Sequence, residues 1–209
     1  RVGANYSETV SDVVRESFSA SGFEVIAEET LGPQIGREMS WRALKALIFA
    51  LIGMVIYISI RFEFAFAVGA MLALVHDVMV CVGLYVLIGG QINMTVVAAL
   101  LAIIGYSIND TIVVFDRIRE NLRRKSASGF LEVCNKSINE TLSRTFLTSF
   151  TSLLAVLMLL IFGGGAIRDF SIIFFLGILV GTYSSVIIAT PVMIGIRQAI
   201  SCKGSKKKN

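Results

Sequence analysis

Charged residues are scarce in this sequence. Only 16% of its 209 residues are Asp, Glu, Lys or Arg, whereas soluble domains average about 25%. Hydrophobic residues make up 55% of the chain and are concentrated in long runs. Histidine occurs once, at His76, so a metal site formed with the adjacent Asp77 would lack a further histidine ligand, and we expect no metal and no cofactor. The composition therefore indicates segments that lie in lipid.

Other absences concern processing and cross-linking. The chain does not begin with Met and has no cleavable signal sequence, so we expect it to start inside a larger protein. Its three cysteines, Cys81, Cys134 and Cys202, have no paired spacing, and we expect unpaired thiols. The net charge of +4 does not require a nucleic-acid partner.

A helix that crosses the hydrocarbon core of a bilayer needs about 20 mostly apolar residues. Five segments qualify: residues 43–60, 64–88, 92–115, 144–162 and 170–196. We therefore predict a mainly α-helical, polytopic membrane bundle over residues 39–209. Residues 116–143 are predicted as a loop and residues 197–209 as a basic tail.

The direction of the spans follows from the positive charges, because cytoplasmic loops carry an excess of Lys and Arg. Most of the 19 Lys and Arg residues fall at Arg61, in residues 116–145 and in the tail from Arg197. That side is predicted to be cytoplasmic, which places the N-terminal segment outside. An extracytoplasmic segment without its own signal needs a preceding span, so we expect at least one span before Arg1.

Residues 1–38 have a different pattern. Apolar residues recur at helical spacing between Glu8 and Ala20, and they alternate from Phe23 to Ala27 as in a half-buried strand. Because so few residues cannot bury a full core, we predict the C-terminal part of a small extracytoplasmic α/β domain. Gly32, Pro33 and Gly36 indicate a hinge between this domain and the membrane.

Asp110 is the most informative polar residue, because a charged side chain inside a span is costly and marks a functional site by default. It lies beside Asn109 and follows the small residues Ala98, Ala102 and Gly105, which let helices approach closely and exclude lipid. We predict that Asp110 loads and releases a proton. The alternative is that it only forms a hydrogen bond with a neighbouring helix.

The fourth span offers a cation for this carboxylate. Arg144, Thr148, Thr151 and Ser152 fall on one face of a helix. We predict that this face points into the bundle, with Arg144 beside Asp110 and Thr148 in support. The alternative is an interfacial arginine that extends to water.

His76 and Asp77 form a second polar pair, in the second span. Neighbouring helical residues point about 100° apart, so we expect them to face different partners, with one lining a polar pathway and the other bonded to a neighbouring helix. The alternative is a purely structural polar pair. In the last span, Gly177 and Gly181 form a GxxxG pair, which predicts close packing on another helix.

The sequence resembles the SecF family, including the SecF half of fused SecDF proteins. The longest matching motif is GYSINDTIVVFDRIRE at residues 105–120. Further matches are LGPQIG at 31–36, RFE at 61–63, His76-Asp77, NETLSRT at 139–145 with Thr148-Ser149, and GTYSS at 181–185. Together they cover nearly the whole chain.

This resemblance implies a subunit of the resistance-nodulation-division superfamily in the bacterial inner membrane, not an enzyme. Such a subunit has six spans, of which five would be here, and assists Sec-dependent export with the proton motive force. The implied partners are SecD or a fused SecD half, the SecYEG channel and the unfolded exported polypeptide. Asp110 and Arg144 match the family's proton-transport residues.

Three alternative functions each require features that can be compared with this sequence. A small-molecule antiporter of the same superfamily would need larger external domains than the short outer loops allow. An intramembrane aspartyl protease would need Tyr-Asp and Gly-x-Gly-Asp motifs, and neither occurs. A structural scaffold of the translocon, in which Asp110 only packs, stays open.

Overall fold

The computed structural model describes residues 33–124 and 129–206, together with the helical residue Val13. Its helices are α1 (Pro33–Arg61), α2 (Phe64–Leu87), α3 (Met94–Arg123), α4 (Phe130–Phe162), α5 (Ala166–Ser184) and α6 (Thr190–Lys206), and a π-helical turn, Ser185–Ala189, joins the last two. The strand and the rest of the helix predicted within residues 1–38 lie outside the described part of the chain.

Five helical segments are long and apolar enough to cross a membrane, which confirms the predicted helical membrane bundle. They are Trp41–Arg61, Phe64–Leu87, Met94–Arg123, Phe130–Phe162 and Ile167–Ile200, the last of which contains the π-helical turn. The chain is therefore a multi-pass membrane protein.

The third and fourth helices extend beyond the predicted spans. α3 continues to Arg123 and α4 begins at Phe130, so most of the segment predicted as a loop, residues 116–143, is helical. The reason is that these ends keep burying apolar side chains such as Ile118 and Val133. The helices thus continue past the lengths that a bilayer requires.

The predicted hinge is partly helical. Pro33 is the first residue of α1, and Gly36 lies in the first turn of the same helix. Proline suits this position because the amide hydrogen that it lacks would have no partner there. Gly32 lies outside the described residues, and movement at the hinge stays a prediction.

Contacts divide the chain into two compact units, residues 1–44 and 45–209. In the second unit, α3 and α5 pack against each other, and each also packs against α2 and α4. Cys81 and Cys134 are free and buried in this unit, as expected of unpaired thiols. The centre of the bundle is therefore the contact between α3 and α5.

Two glycines of α5 make this contact close. A Cβ atom at Gly177 would collide with the side chain of Ile103 on α3, and one at Gly181 would lie 3.0 Å from the Ser107 Cβ. The predicted packing of the GxxxG pair is confirmed. It brings the polar residues of α3 within hydrogen-bonding distance of those on α5.

We expect Gly177→Ala to destabilise the bundle by about 1–3 kcal/mol, because the new methyl group overpacks the contact with the buried, stiff Ile103. Gly195→Ala is the matched control, since a Cβ there has no neighbour within 4 Å. The melting temperature in detergent should fall for the first variant and stay level or rise for the second. Equal melting temperatures would contradict the close contact.

Candidate functional site

The polar residues of α3 between positions 107 and 111 do not all face the inside of the bundle. Asp110 is only 3% exposed, and its neighbours Ser107 and Thr111 are buried as well. Asn109 is exposed. The helix therefore directs the carboxyl group inward, as predicted, and the neighbouring amide outward.

The Oδ2 atom of Asp110 is buried and has no hydrogen-bond partner among the described residues. The Ser149 hydroxyl and the Arg144 guanidinium, both on α4, lie close enough to act on the carboxyl group electrostatically. A shielded carboxyl group with a vacant acceptor atom can take up a proton at that atom.

Hydroxyl groups extend from Asp110 toward α5. The Tyr106 hydroxyl donates to Ser149 Oγ over 3.4 Å, and Ser149 Oγ lies 2.7 Å from Thr182 Oγ1. Such groups both donate and accept hydrogen bonds, so their hydrogens can reorient when the charge on the carboxyl group changes. The surroundings of Asp110 are thus polar and adjustable.

Arg144 lies at the edge of the bundle and not in its interior. Arg144, Thr148 and Thr151 are exposed, so the prediction that their face points inward is wrong for this chain. The inward face of α4 carries smaller hydroxyl residues, namely Thr141, Thr145 and Ser149. Their small side chains let α4 pack closely, whereas a long arginine side chain can reach inward from the side.

Asp77 is fully buried and its carboxylate is well satisfied. Its Oδ2 atom accepts hydrogen bonds from Ser107 on α3 and, over 2.8 Å, from Ser184 on α5. Its Oδ1 atom lies 3.0 Å from Nδ1 of His76. With both oxygens engaged, Asp77 binds three helices together, in contrast to Asp110.

His76 bonds α5, the helix that also donates to Asp77 through Ser184. Its Nε2 atom lies 3.1 Å from the Tyr183 hydroxyl, next along α5 from Ser184. As expected, His76 and Asp77 bond different residues, but both bond the same helix, α5, and only Asp77 also bonds α3. In the neutral histidine, Nδ1 donates to Asp77 and Nε2 accepts from Tyr183.

Sequence reasoning missed the organising role of the hydroxyl run at residues 182–185. Thr182 contacts α4, Tyr183 and Ser184 contact α2, and Ser185 Oγ lies 3.0 Å from Thr111 Oγ1 on α3. Four consecutive hydroxyl residues in an apolar span were the available signal. They stand where α5 passes into the π-helical turn, a distortion common at functional sites.

We expect Asp77→Ala to destabilise the bundle by about 1–3 kcal/mol for each buried hydroxyl donor that it leaves unsatisfied. Asp116→Ala is a matched control, because Asp116 is an exposed partner of Arg61 at 3.0 Å, and such pairs contribute about 0–1 kcal/mol. Thermal unfolding in detergent measures both. A smaller loss for Asp77→Ala than for Asp116→Ala would refute the role of Asp77 as a structural anchor.

Comparison with solved structures finds a close match. The chain aligns with the crystal structure of SecDF, a translocon-associated membrane protein from Thermus thermophilus, at a TM-score of 0.83 and 42% identity. The alignment covers 89% of this chain and 26% of that protein. The two proteins are therefore similar in sequence as well as in fold.

Curated relatives are similar to the chain over most of its length. The chain is 50% identical to the protein translocase subunit SecF of Calditerrivibrio nitroreducens, covering 88% of this chain and 61% of that protein. It is 45% identical to the subunit of the same name from Koribacter versatilis, covering 90% and 47% respectively. The chain thus spans less than two thirds of the length of these relatives. A family model described as protein export membrane protein SecD/SecF, C-terminal, matches residues 9–199, and the chain belongs to this family.

Proposed function

We propose that this chain is the membrane part of a SecF-like subunit that uses the proton motive force to assist Sec-dependent protein translocation across the inner membrane. The observation that carries the proposal is the state of Asp110, a buried carboxyl group with one vacant oxygen in the middle of a helix bundle. Family membership and the likeness to a translocon-associated protein support the same conclusion.

The chemistry of the proposal is a change of charge on Asp110. A proton on the vacant oxygen neutralises the carboxylate, which removes its attraction to Arg144. A charge that crosses a potential of 100 mV supplies about 2.3 kcal/mol, enough to shift a two-state equilibrium more than tenfold. The membrane potential can therefore bias how α3 packs against α4.

Hydrogen bonds connect the surroundings of Asp110 to the other helices of the bundle. Ser149 on α4 is bonded to Thr182 on α5. Farther along the chain, Ser184 of α5 bonds α2, and Ser185 of the π-helical turn bonds α3. We propose that a packing change at Asp110 reaches the extracytoplasmic domain through α1 and the segment before it. That domain then pulls or holds the exported polypeptide as it leaves the SecYEG channel.

A small-molecule antiporter is less well supported. On the side proposed to be extracytoplasmic, α2 and α3 are joined by residues 88–93, and α4 and α5 by residues 163–165. Connections this short leave little room for a cleft that binds a substrate.

We expect Asp110→Asn to abolish proton-dependent stimulation of export while the protein still inserts, since the amide keeps the shape of the side chain but carries no titratable charge. Asp169→Asn, near the start of α5, is the matched control and should export normally. Export of a secretory protein into membrane vesicles, with and without an imposed potential, measures both. Normal stimulation by Asp110→Asn would leave only the scaffold role.

The proposal includes a SecD partner on the outer face of α3 and α4. Ala98, Gly105 and Asn109 of α3 are exposed on one side, and a Cβ atom at Gly105 would meet nothing within 4 Å. Small residues favour close helix contact in membranes. The exposed Arg144 and Thr148 of α4 add polar groups that lipid would not satisfy, which favours a protein covering for this face.

We expect Gly105→Leu to weaken association with SecD, because the larger side chain holds the partner helix away. Gly83→Leu on α2 is the control, since Gly83 is also exposed and has equally open space. Copurification of SecD with tagged full-length subunit measures the effect. If both variants retain SecD equally, the proposed face is not the contact.

A further inference from the structure

Three arginines converge on one groove at the end of the bundle where α2 begins and α3 ends. The groove has a volume of about 250 Å³ and is lined by Arg119, Arg123 and Arg197, with Glu63, Phe66 and Leu122 completing the wall. Three guanidinium groups and one carboxylate give it an excess of positive charge. This groove is separate from the site around Asp110.

Nearby arginines outside the groove are neutralised. Arg61 pairs with Asp116 at 3.0 Å, and Arg117 and Arg124 each pair with Glu120 at 2.7 Å. In the described parts of the chain, none of the three groove arginines has a carboxylate within 4.0 Å. Asp116 and Glu120 are thus paired with other arginines, and Glu63 alone offsets the three positive charges of the groove.

Two of the groove arginines, Arg119 and Arg197, are also held in place. Arg119 donates from Nη1 to the backbone carbonyl of Arg61 over 3.1 Å. The Arg197 guanidinium stacks on the ring of Phe130 with 4.8 Å between its central carbon and the ring centre. Its Nη1 atom is buried without a hydrogen-bond acceptor among the described residues. Fixed guanidinium groups with unused donors suit the several oxygens of a phosphate.

The surroundings indicate how the phosphate arrives. Phe66 and Leu122 make one wall of the groove apolar, and Ile60 and Phe64 are largely exposed close by in sequence, at the ends of α1 and α2. Basic pockets between membrane helices characteristically bind anionic lipid head groups. An anion that also carries acyl chains would satisfy both the charged and the apolar walls.

We propose that this groove binds a phosphate-bearing anion, and that an anionic phospholipid supplies it. The test uses the full-length subunit with its SecD partner, purified in detergent at about 0.15 M salt, where general surface charge is strongly screened. Native mass spectrometry then counts retained phosphatidylglycerol against phosphatidylcholine. In a parallel arm, inorganic phosphate alone competes for the same site.

We expect the wild type to retain phosphatidylglycerol preferentially, and Arg119→Gln, Arg123→Gln and Arg197→Gln each to weaken retention about fivefold. The control set is Arg61→Gln, Arg117→Gln and Arg124→Gln, which removes the same charge from paired positions and should change retention little. Arg123 is exposed, so its variant tests the site without endangering the fold.

The outcomes separate the possibilities. Retention of phosphatidylglycerol that is lost only in the groove variants supports the site. Groove-dependent binding of inorganic phosphate without preferential retention of phosphatidylglycerol would identify free phosphate as the ligand and overturn the lipid assignment. Equal losses in both sets would show a general basic rim and overturn the proposal. Unchanged retention in every variant would overturn it as well.

Discussion

The close contact between α3 and α5 is the constraint on which the other features depend. Gly177 and Gly181 let the two helix backbones approach until a single added carbon would collide with Ile103 or crowd Ser107. At this separation, short hydroxyl side chains reach across and form hydrogen bonds directly. A wider spacing would have required longer polar side chains or water in the centre of the membrane, where unsatisfied groups are costly.

Two buried carboxyl groups lie on either side of this contact and differ in their freedom. Asp77 is surrounded by donors on three helices, so its hydrogen bonds fix the arrangement of α2, α3 and α5. Asp110 has one oxygen without a donor and lies next to α4, whose outer face is still uncovered in this chain. The bundle thus combines a rigid anchor with a carboxyl group that retains capacity for a proton.

Hydropathy and length predicted the five spans, because burying polar backbone in lipid leaves few alternatives to a long apolar helix. Hydropathy could not predict where α3 and α4 end, since helices continue wherever packing supports them.

The rotation of each helix about its own axis could not be predicted from the sequence either. α4 carries one polar stripe with Arg144 and another with Thr145, and only packing against α3 and α5 decides which one faces inward. Asp110 could be identified because a charged residue is conspicuous in an apolar run. The sequence alone could not show that His76 and Asp77 bond adjacent residues of the same helix, α5.

The π-helical turn at residues 185–189 fixes the phase of everything that follows it. A π turn holds one residue more than an α turn, and each residue of an α-helix rotates the chain by about 100°. Loss of a single residue there would restore regular α-helix and swing α6 around its axis. Met193 packs so closely on α2 that a Cβ atom added at Gly69 would lie 3.1 Å from the Met193 Cβ. After the loss, Met193 would turn away from α2, and the Arg197 guanidinium would no longer stack on Phe130. The extra residue therefore sets which side chains of α6 face α2 and α4, so a change in the length of this segment would alter every later contact of the last helix at once.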